Sequence, residues 1–241
     1  MRHRMQAVIL AGGKGTRLRP FTSTLPKPLV PVGEHPIIEI VLKQLKTHGF
    51  EEVIISTGHL AGLIEAYCGD GRRWGLRVRY VREDKPLSTA GALKLIRHLE
   101  PHFLTVNGDI LTTLDFKRLY DFHLSSKAAA TIGVCERRGI VDFGVLGLDA
   151  SGRVESYAEK PSHRYLVSMG VNAFARGALK HIHPGESLGI PDLISRIRAS
   201  GGLVMGFRNK AEWLDIGRPE DYQAAQDIFS SPRRRGRYLR P

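Results

Sequence analysis

Three stretches of the chain carry residue types suited to handling phosphate. The first, Leu10-Ala11-Gly12-Gly13-Lys14-Gly15-Thr16-Arg17-Leu18-Arg19-Pro20, follows a continuous apolar run over residues 5–11. Glycines at 12, 13 and 15 let backbone N–H groups approach an anion closely, and a loop at the carboxyl end of a buried parallel strand is where open α/β sheets bind ligands. The pattern is that of a phosphate cradle, against the plainer reading of a glycine-rich turn without a ligand. It is not a dinucleotide fingerprint, because Leu18 stands where the third glycine belongs. Nor is it a Walker loop, because Gly13-Lys14 is followed by Gly15. The second stretch, Asn107-Gly108-Asp109, ends an apolar run, so the Asp109 carboxylate reaches the same sheet edge. The third is Asp215, a carboxylate inside the short apolar run Trp213–Gly217. Two carboxylates distant in sequence and joined by Mg2+, with waters and phosphate oxygens completing the octahedron, is how hard-cation sites at phosphates are built. Read alone, Asp109 is also an ordinary turn residue after Gly108, and Asp215 a helix cap.

The elements that must position these residues follow from periodicity. Strand-like runs at 5–11, 52–57 and 103–107, and an alternating one at 77–82, are separated by helical patterns at 36–49, 60–68 and 89–99. Strands separated by helices favour βαβ units, hence parallel strands with helices on both faces. Pro36 opens the first helix and Gly49 closes it; Ser88 is a good N-cap for the third. After residue 127 the pattern changes to strand-like runs at 128–135, 143–148, 153–158 and 167–175, read as a mixed extension of the sheet. A helix at 189–200, a strand at 203–207 and a closing helix at 219–229 complete the body. Residues 230–241 read as a flexible Arg-rich tail, too polar to pack.

Composition narrows the class. The 241 residues are 42% hydrophobic and 25% charged, enough apolar material for one substantial core. No apolar run approaches the roughly 20 residues of a membrane helix, and no secretory leader is read. Cys68 and Cys135 lie far apart with no Cys-x-x-Cys pair, which fits a reducing, cytoplasmic setting and neither a disulfide framework nor a zinc site. The net charge of +12 includes five arginines in residues 231–241 and two at Arg2 and Arg4, leaving the body mildly basic. A nucleic-acid-binding role would require a basic stripe with interleaved aromatics, which the body lacks.

The segment Leu10–Pro20, followed by Pro26-Lys27-Pro28-Leu29, resembles the signature of the sugar-1-phosphate nucleotidyltransferases. The resemblance continues in order through Thr89-Ala90-Gly91-Ala92-Leu93, Asn107-Gly108-Asp109, Phe143-Gly144-Val145, Glu159-Lys160-Pro161, Gly170-Val171-Asn172-Ala173-Phe174 and Trp213-Leu214-Asp215-Ile216-Gly217, covering about residues 5–229. It implies a Rossmann-like three-layer α/β/α mixed sheet in a single domain, with a nucleotide-binding part near 5–110 and a sugar-binding part near 111–229. Relatives with an added C-terminal β-helix domain are longer, and no such domain is expected here. The implied reaction joins a nucleoside triphosphate to a sugar 1-phosphate and releases pyrophosphate, with guanylyl transfer ahead of uridylyl, and thymidylyl and cytidylyl transfer behind.

The roles that come with the resemblance divide along the cleft. Leu10, Ala11, Gly12, Gly13, Gly15 and Thr16 form the nucleotide loop, and Thr89, Ala90 and Gly91 lie against the base. Arg17 faces the departing pyrophosphate and Lys27 the α-phosphate, with Lys14 and Arg19 at the rim. Asp109 and Asp215 hold Mg2+, and Asp109 joins Arg17 and Lys27 as the catalytic set. Lys160 takes the sugar phosphate and Glu159 the sugar hydroxyls, with Asn107, Gly144, Gly170 and Asn172 around the ring. Ser88 departs from the glycine usual before Thr-Ala-Gly. A catalytically silent regulatory homologue is the rival within the fold, and the presence of Arg17, Lys27, Asp109, Lys160 and Asp215 argues against it. A homo-oligomer is compatible with the sequence.

Overall fold

The computed structural model describes residues 4–239; Arg2 and Arg240, counted above among the terminal cations, lie outside them. The first half runs β1 (Gln6–Ala11), a small ribbon of β2 (Pro31–Val32) and β3 (His35–Pro36), α1 (Ile37–Thr47), β4 (Glu52–Thr57), α2 (Ala61–Cys68), β5 (Arg77–Arg82), α3 (Ser88–Gly91) and β6 (His102–Asn107). The second half runs β7 (Ile110–Thr112), α4 (Phe116–Ser126), β8 (Ala130–Ile140), β9 (Val145–Leu148), β10 (Val154–Ala158), β11 (Ser162–Ala175), α5 (Ile190–Ala199), β12 (Val204–Asn209), β13 (Trp213–Asp215), α6 (Pro219–Ser230) and α7 (Pro232–Leu239).

Seven strands form one sheet in the order β12-β8-β11-β6-β1-β4-β5. β1 pairs in parallel with β4 and β6, and β4 with β5, while β11 runs antiparallel between β6 and β8. The sheet is therefore mixed and continuous through both halves of the chain. Alternation along β1 explains the two faces: Ala7, Ile9 and Ala11 pack toward α1 with Val41, Leu45 and Phe50, whereas Val8 packs with Leu93, Phe103, Phe174 and Ile197 on the opposite face. Burying β1 on both sides is why it reads as an unbroken apolar run. A third cluster, joining Leu18, Val30, Ile37, Leu111, Ile216, Phe229 and Tyr238, ties the glycine loop to β7, β13 and the two C-terminal helices.

Two expectations need correction. The helix over 89–99 is instead the four-residue α3 followed by a 3-10 turn at Ala92–Leu95, and Ser88 is not its cap. Ser88 has φ +61°, the left-handed region that favours glycine. Ser88→Gly is accordingly expected to raise stability by about 1 kcal/mol, read as a higher denaturant midpoint at unchanged slope. Residues 230–239 of the expected tail are not loose either, and its last two residues lie outside those described. α7 docks on the body through Tyr238, which is 1% exposed, and its ring lies 5.8 Å from that of Phe229. One aromatic at helical distance from the core outweighs the solvation of its arginine neighbours, which project outward.

Glu39 on α1 ties α1 to α2. Burial works against its charge, yet hydrogen bonds from Lys43, Tyr67 and His35 hold its carboxyl at about 2, below its ordinary value of 4.5. The folded state thus binds this proton less readily than the unfolded chain, so the contribution is complete above pH 4.5 and is lost as pH falls toward 2. Glu39→Gln should flatten the acid limb of the stability curve in that window, measured by chemical denaturation at successive pH values.

Candidate active site

The glycine loop leaves β1 at Ala11 and turns beneath the carboxyl edge of the sheet. Gly15 has φ +62°, and a Cβ there would stand 3.0 Å from Cβ of Lys27 and 3.1 Å from Cγ2 of Thr22. Both backbone conformation and packing demand glycine. Gly13, by contrast, faces open space and lines a cavity of about 230 Å³ together with Leu10, Ala11, Gly15, Thr16, Arg17, Lys27, Pro28, Gly108, Asp109 and Gly217. A second cavity of about 300 Å³ adjoins it, lined by Leu10, Gly12, Gly13, Ser56, Glu83, Pro86, Ser88, Thr89, Ala92, Asn107 and Asp109. Leu10, Gly13 and Asp109 belong to both, so the two form one cleft along the carboxyl ends of β1, β4, β5 and β6.

At the centre of this cleft Lys27, buried on a 3-10 turn, forms an ion pair with Asp109 Oδ2, and its Nζ lies 3.9 Å from Asp215 Oδ1. The carboxylates come together because β7 and β13 form an antiparallel ribbon in which Asp215 faces Ile110, and the Ile216 N–H donates to the Asp109 carbonyl at 3.0 Å. Burial and the neighbouring Asp109 carboxylate push the Asp215 carboxyl upward, while Lys27 and Arg17 pull the other way. Arg17 lies against Gly217, where a Cβ would stand 3.4 Å from the guanidinium. The glycine that closes the Trp213–Gly217 motif therefore leaves room for the arginine.

The donor set fits Mg2+. No group of three or more His, Cys, Asp or Glu side chains is gathered for a metal among the described residues. A pair of carboxylates beside a phosphate cradle matches a cation that takes one or two carboxylates and fills its remaining positions with water and phosphate oxygens.

The structure brings some expected residues together and separates others. Arg17, Lys27, Asp109, Asp215, the loop residues, Asn107 and Thr89 meet at the cleft. Ala90 and Gly91 are buried behind it, both N–H groups donating to the Leu188 carbonyl, at 2.8 and 3.0 Å. Lys14 and Arg19 are exposed and line neither cavity. Gly170 (φ +70°) abuts Asn107, its hypothetical Cβ 2.6 Å from Nδ2, and so connects the second half of the chain to the cleft. Gly144, Glu159 and Lys160 lie on an exposed arm, outside both cavities; there a Cβ at Gly144 would stand 3.2 Å from Glu159 Oε2. Asn172 is 1% exposed, with Nδ2 3.4 Å from Thr105 Oγ1, which places it inside the sheet and not at the cleft surface as expected.

Glu83 was not foreseen. It follows the carboxyl end of β5, accepts the Leu87 N–H at 2.9 Å and the Ser56 hydroxyl at 3.3 Å, and lines the second cavity opposite Gly12. A Cβ at Gly12 would collide with its carboxylate. The available signal was position alone: a carboxylate directly after a strand of the parallel set.

A family model described as nucleotidyl transferase matches residues 6–231, from the first residue of β1 into the C-terminal helices. The chain belongs to this family. Among relatives of the nucleotidyltransferase, a UTP–glucose-1-phosphate uridylyltransferase of Synechocystis is 33% identical over 94% of this chain. A mannose-1-phosphate guanylyltransferase of Mycobacterium tuberculosis is 32% identical over 97% of it. The chain spans 64% and 68% of the lengths of these two. A D-glycero-alpha-D-manno-heptose 1-phosphate guanylyltransferase of Aneurinibacillus thermoaerophilus is 32% identical over 92% of this chain and 97% of its own. In three dimensions HddC from Yersinia pseudotuberculosis superposes with a TM-score of 0.72 at 27% identity, covering 93% of this chain and 99% of that one. No helix among the described residues is long and apolar enough to cross a membrane.

Proposed function

We propose that this nucleotidyltransferase transfers a nucleoside monophosphate from GTP to a sugar 1-phosphate, forming a nucleotide-sugar and pyrophosphate. The observation that carries the reading is the meeting of Arg17, Lys27, Asp109 and Asp215 at one glycine-lined cleft. A sugar-phosphate oxygen attacks the α-phosphorus in line, the bond from that phosphorus to the bridging oxygen of the β-phosphate breaks, and pyrophosphate leaves. The nucleophile is already an anion at neutral pH, so no general base is required, and the barrier is electrostatic. The loop N–H groups cradle the phosphates, Lys27 meets the α-phosphate and Arg17 the leaving pyrophosphate. Asp109 and Asp215 would hold Mg2+, which when bound supplies charge neutralisation between the two polyanions. Lys160 and Glu159 are assigned to the sugar phosphate and sugar hydroxyls. They sit on the arm, so the reading requires that arm to reach the cleft with substrate bound.

The preference for guanine rests on Glu83 and on the relatives. A carboxylate is acceptor-only and has capacity beyond its two present partners. Guanine offers it the adjacent donors N1–H and N2–H, whereas uracil offers one N–H between two carbonyl oxygens that would repel it. A second structure of HddC, 26% identical to this chain, holds GMP-PN. The relative named as a UTP–glucose-1-phosphate uridylyltransferase supports uridylyl transfer as the second reading. Glu83→Gln should lower the ratio of kcat/KM for GTP over UTP about tenfold, the loss of one charge-assisted hydrogen bond; an unchanged ratio would remove Glu83 from base selection.

The governing experiment is a matrix of nucleoside triphosphates against sugar 1-phosphates with Mg2+, scored by pyrophosphate release. Release with GTP and one sugar 1-phosphate is expected, and a blank matrix would overturn the assignment. A cytoplasmic location belongs to the same reading, supported by Cys68 and Cys135, both buried free thiols.

A further inference from the structure

The ribbon that carries Asp109 and Asp215 is only three residues long on each strand and stands apart from the main sheet. An isolated two-stranded ribbon is marginally stable in water, and a slip of one residue would turn Asp215 to the opposite face. Its register therefore has to be held from outside. At the end nearest the cleft the Ile216 N–H bond to Asp109 does this. At the far end Thr113 and Glu212 exchange bonds: the Thr113 N–H donates to the Glu212 carbonyl and the Glu212 N–H to Thr113 Oγ1, each at 3.0 Å, and the Thr112 hydroxyl donates to the same carbonyl at 2.8 Å.

α7 closes over this far end. The Tyr238 hydroxyl donates to Glu212 Oε2 at 3.1 Å and the Arg237 guanidinium pairs with Glu212 Oε1. Gln44 of α1, itself buried, uses Nε2 to donate both to the Thr112 carbonyl at 2.7 Å and to the Tyr238 carbonyl at 3.0 Å. One glutamate and one glutamine thus tie the C-terminal helix, the ribbon and α1 together. No residue of α7 lines the catalytic cleft.

We propose that α7 is a strap that holds the β7–β13 ribbon in register and so sets the spacing of Asp109 and Asp215, with Tyr238, Glu212 and Gln44 as positioning residues for the metal pair. The inference rests on the reading of those two carboxylates as the Mg2+ ligands. It gives Arg237 a defined partner and Tyr238 a buried seat.

The test uses the full-length chain carrying Tyr238→Ala and, as a milder change that leaves the aromatic seat filled, Glu212→Gln. Mn2+ binding to the substrate-free protein is followed by electron paramagnetic resonance, and amide hydrogen exchange is read in the metal-free protein over residues 110–113 and 212–216. Both variants are expected to weaken Mn2+ binding about tenfold and to speed exchange in these two segments, while KM for the sugar 1-phosphate stays within twofold. Tyr238→Phe, which keeps the packing, should recover most of the Mn2+ affinity lost in Tyr238→Ala. If Tyr238→Ala does not fold, Glu212→Gln alone decides. Unchanged exchange in the ribbon, or unchanged Mn2+ affinity in a folded variant, overturns the strap. The underlying ligand assignment fails separately, if wild-type protein and Asp109→Asn bind Mn2+ equally well.

Discussion

Asparagine at position 109 or 215 is expected to lower turnover at least about a hundredfold while the fold survives, measured as the rate of pyrophosphate release at saturating substrates. Asparagine keeps the shape of each side chain and removes its charge, and a hundredfold is on the order of 3 kcal/mol of transition-state stabilisation. The two changes should differ in stability. Asp215 is pushed upward partly by Asp109, so removing either charge relieves a repulsion present in the metal-free protein. Asp109, however, is the closer partner of Lys27, and its loss leaves the lysine dependent on a carboxylate 3.9 Å away. Asp215→Asn should therefore retain its thermal midpoint in the absence of Mg2+, and Asp109→Asn should lose some of it. Near-normal turnover in either variant would remove that residue from the metal pair.

The second large effect is expected at Lys27. Its side chain is 9% exposed, a costly place for an ammonium without partners, and it stands between two carboxylates where the α-phosphate would pass. Lys27→Met preserves length and burial but deletes the cation. Turnover should fall by about a thousandfold, the upper end for losing one preorganised electrostatic contact. Without the lysine only Arg17 offsets the repulsion between the carboxylates, so Mg2+ should raise the thermal midpoint of Lys27→Met by more than that of the wild type. Equal stabilisation in both proteins would show that Lys27 does not balance the metal pair.

Much of this arrangement was legible from residue order. The glycine loop announces itself because a buried strand cannot continue through Gly12 and Gly13, and β4 and β5 lie where an apolar run and an alternating one placed them. Asp109 follows an apolar run at a sheet edge and Asp215 interrupts another, and the family resemblance paired them. Other features were illegible for physical reasons. α4 escaped notice because its buried face includes His123, whose polarity breaks the periodicity; the ring is 0% exposed, bonded to His102 and Thr131, and burial lowers its pKa to about 4. Glu83 looks like any solvated acid until the fold sets it against Gly12. Asn172 looks like a hydroxyl-binding amide until register places it opposite Thr105. In α7, four arginines mask one tyrosine whose seat is created by Phe229 and Glu212, both outside its local pattern.

The position of β11 between β6 and β8 has a consequence for the chain while it is being made. β6 finds β1 already synthesised, but its other edge waits for Val171 to pair with Val106, after α4, β8, β9 and β10 have all been translated. At about 5–20 residues per second that edge stays open for several seconds, as a continuous apolar strand with unpaired backbone groups. The same strand carries Asn107 and leads into Asp109, so the nascent chain cannot assemble the candidate site during this interval. Slower passage of ribosomes over residues 108–175 therefore lengthens the time for which the open edge of β6 is exposed to off-pathway pairing.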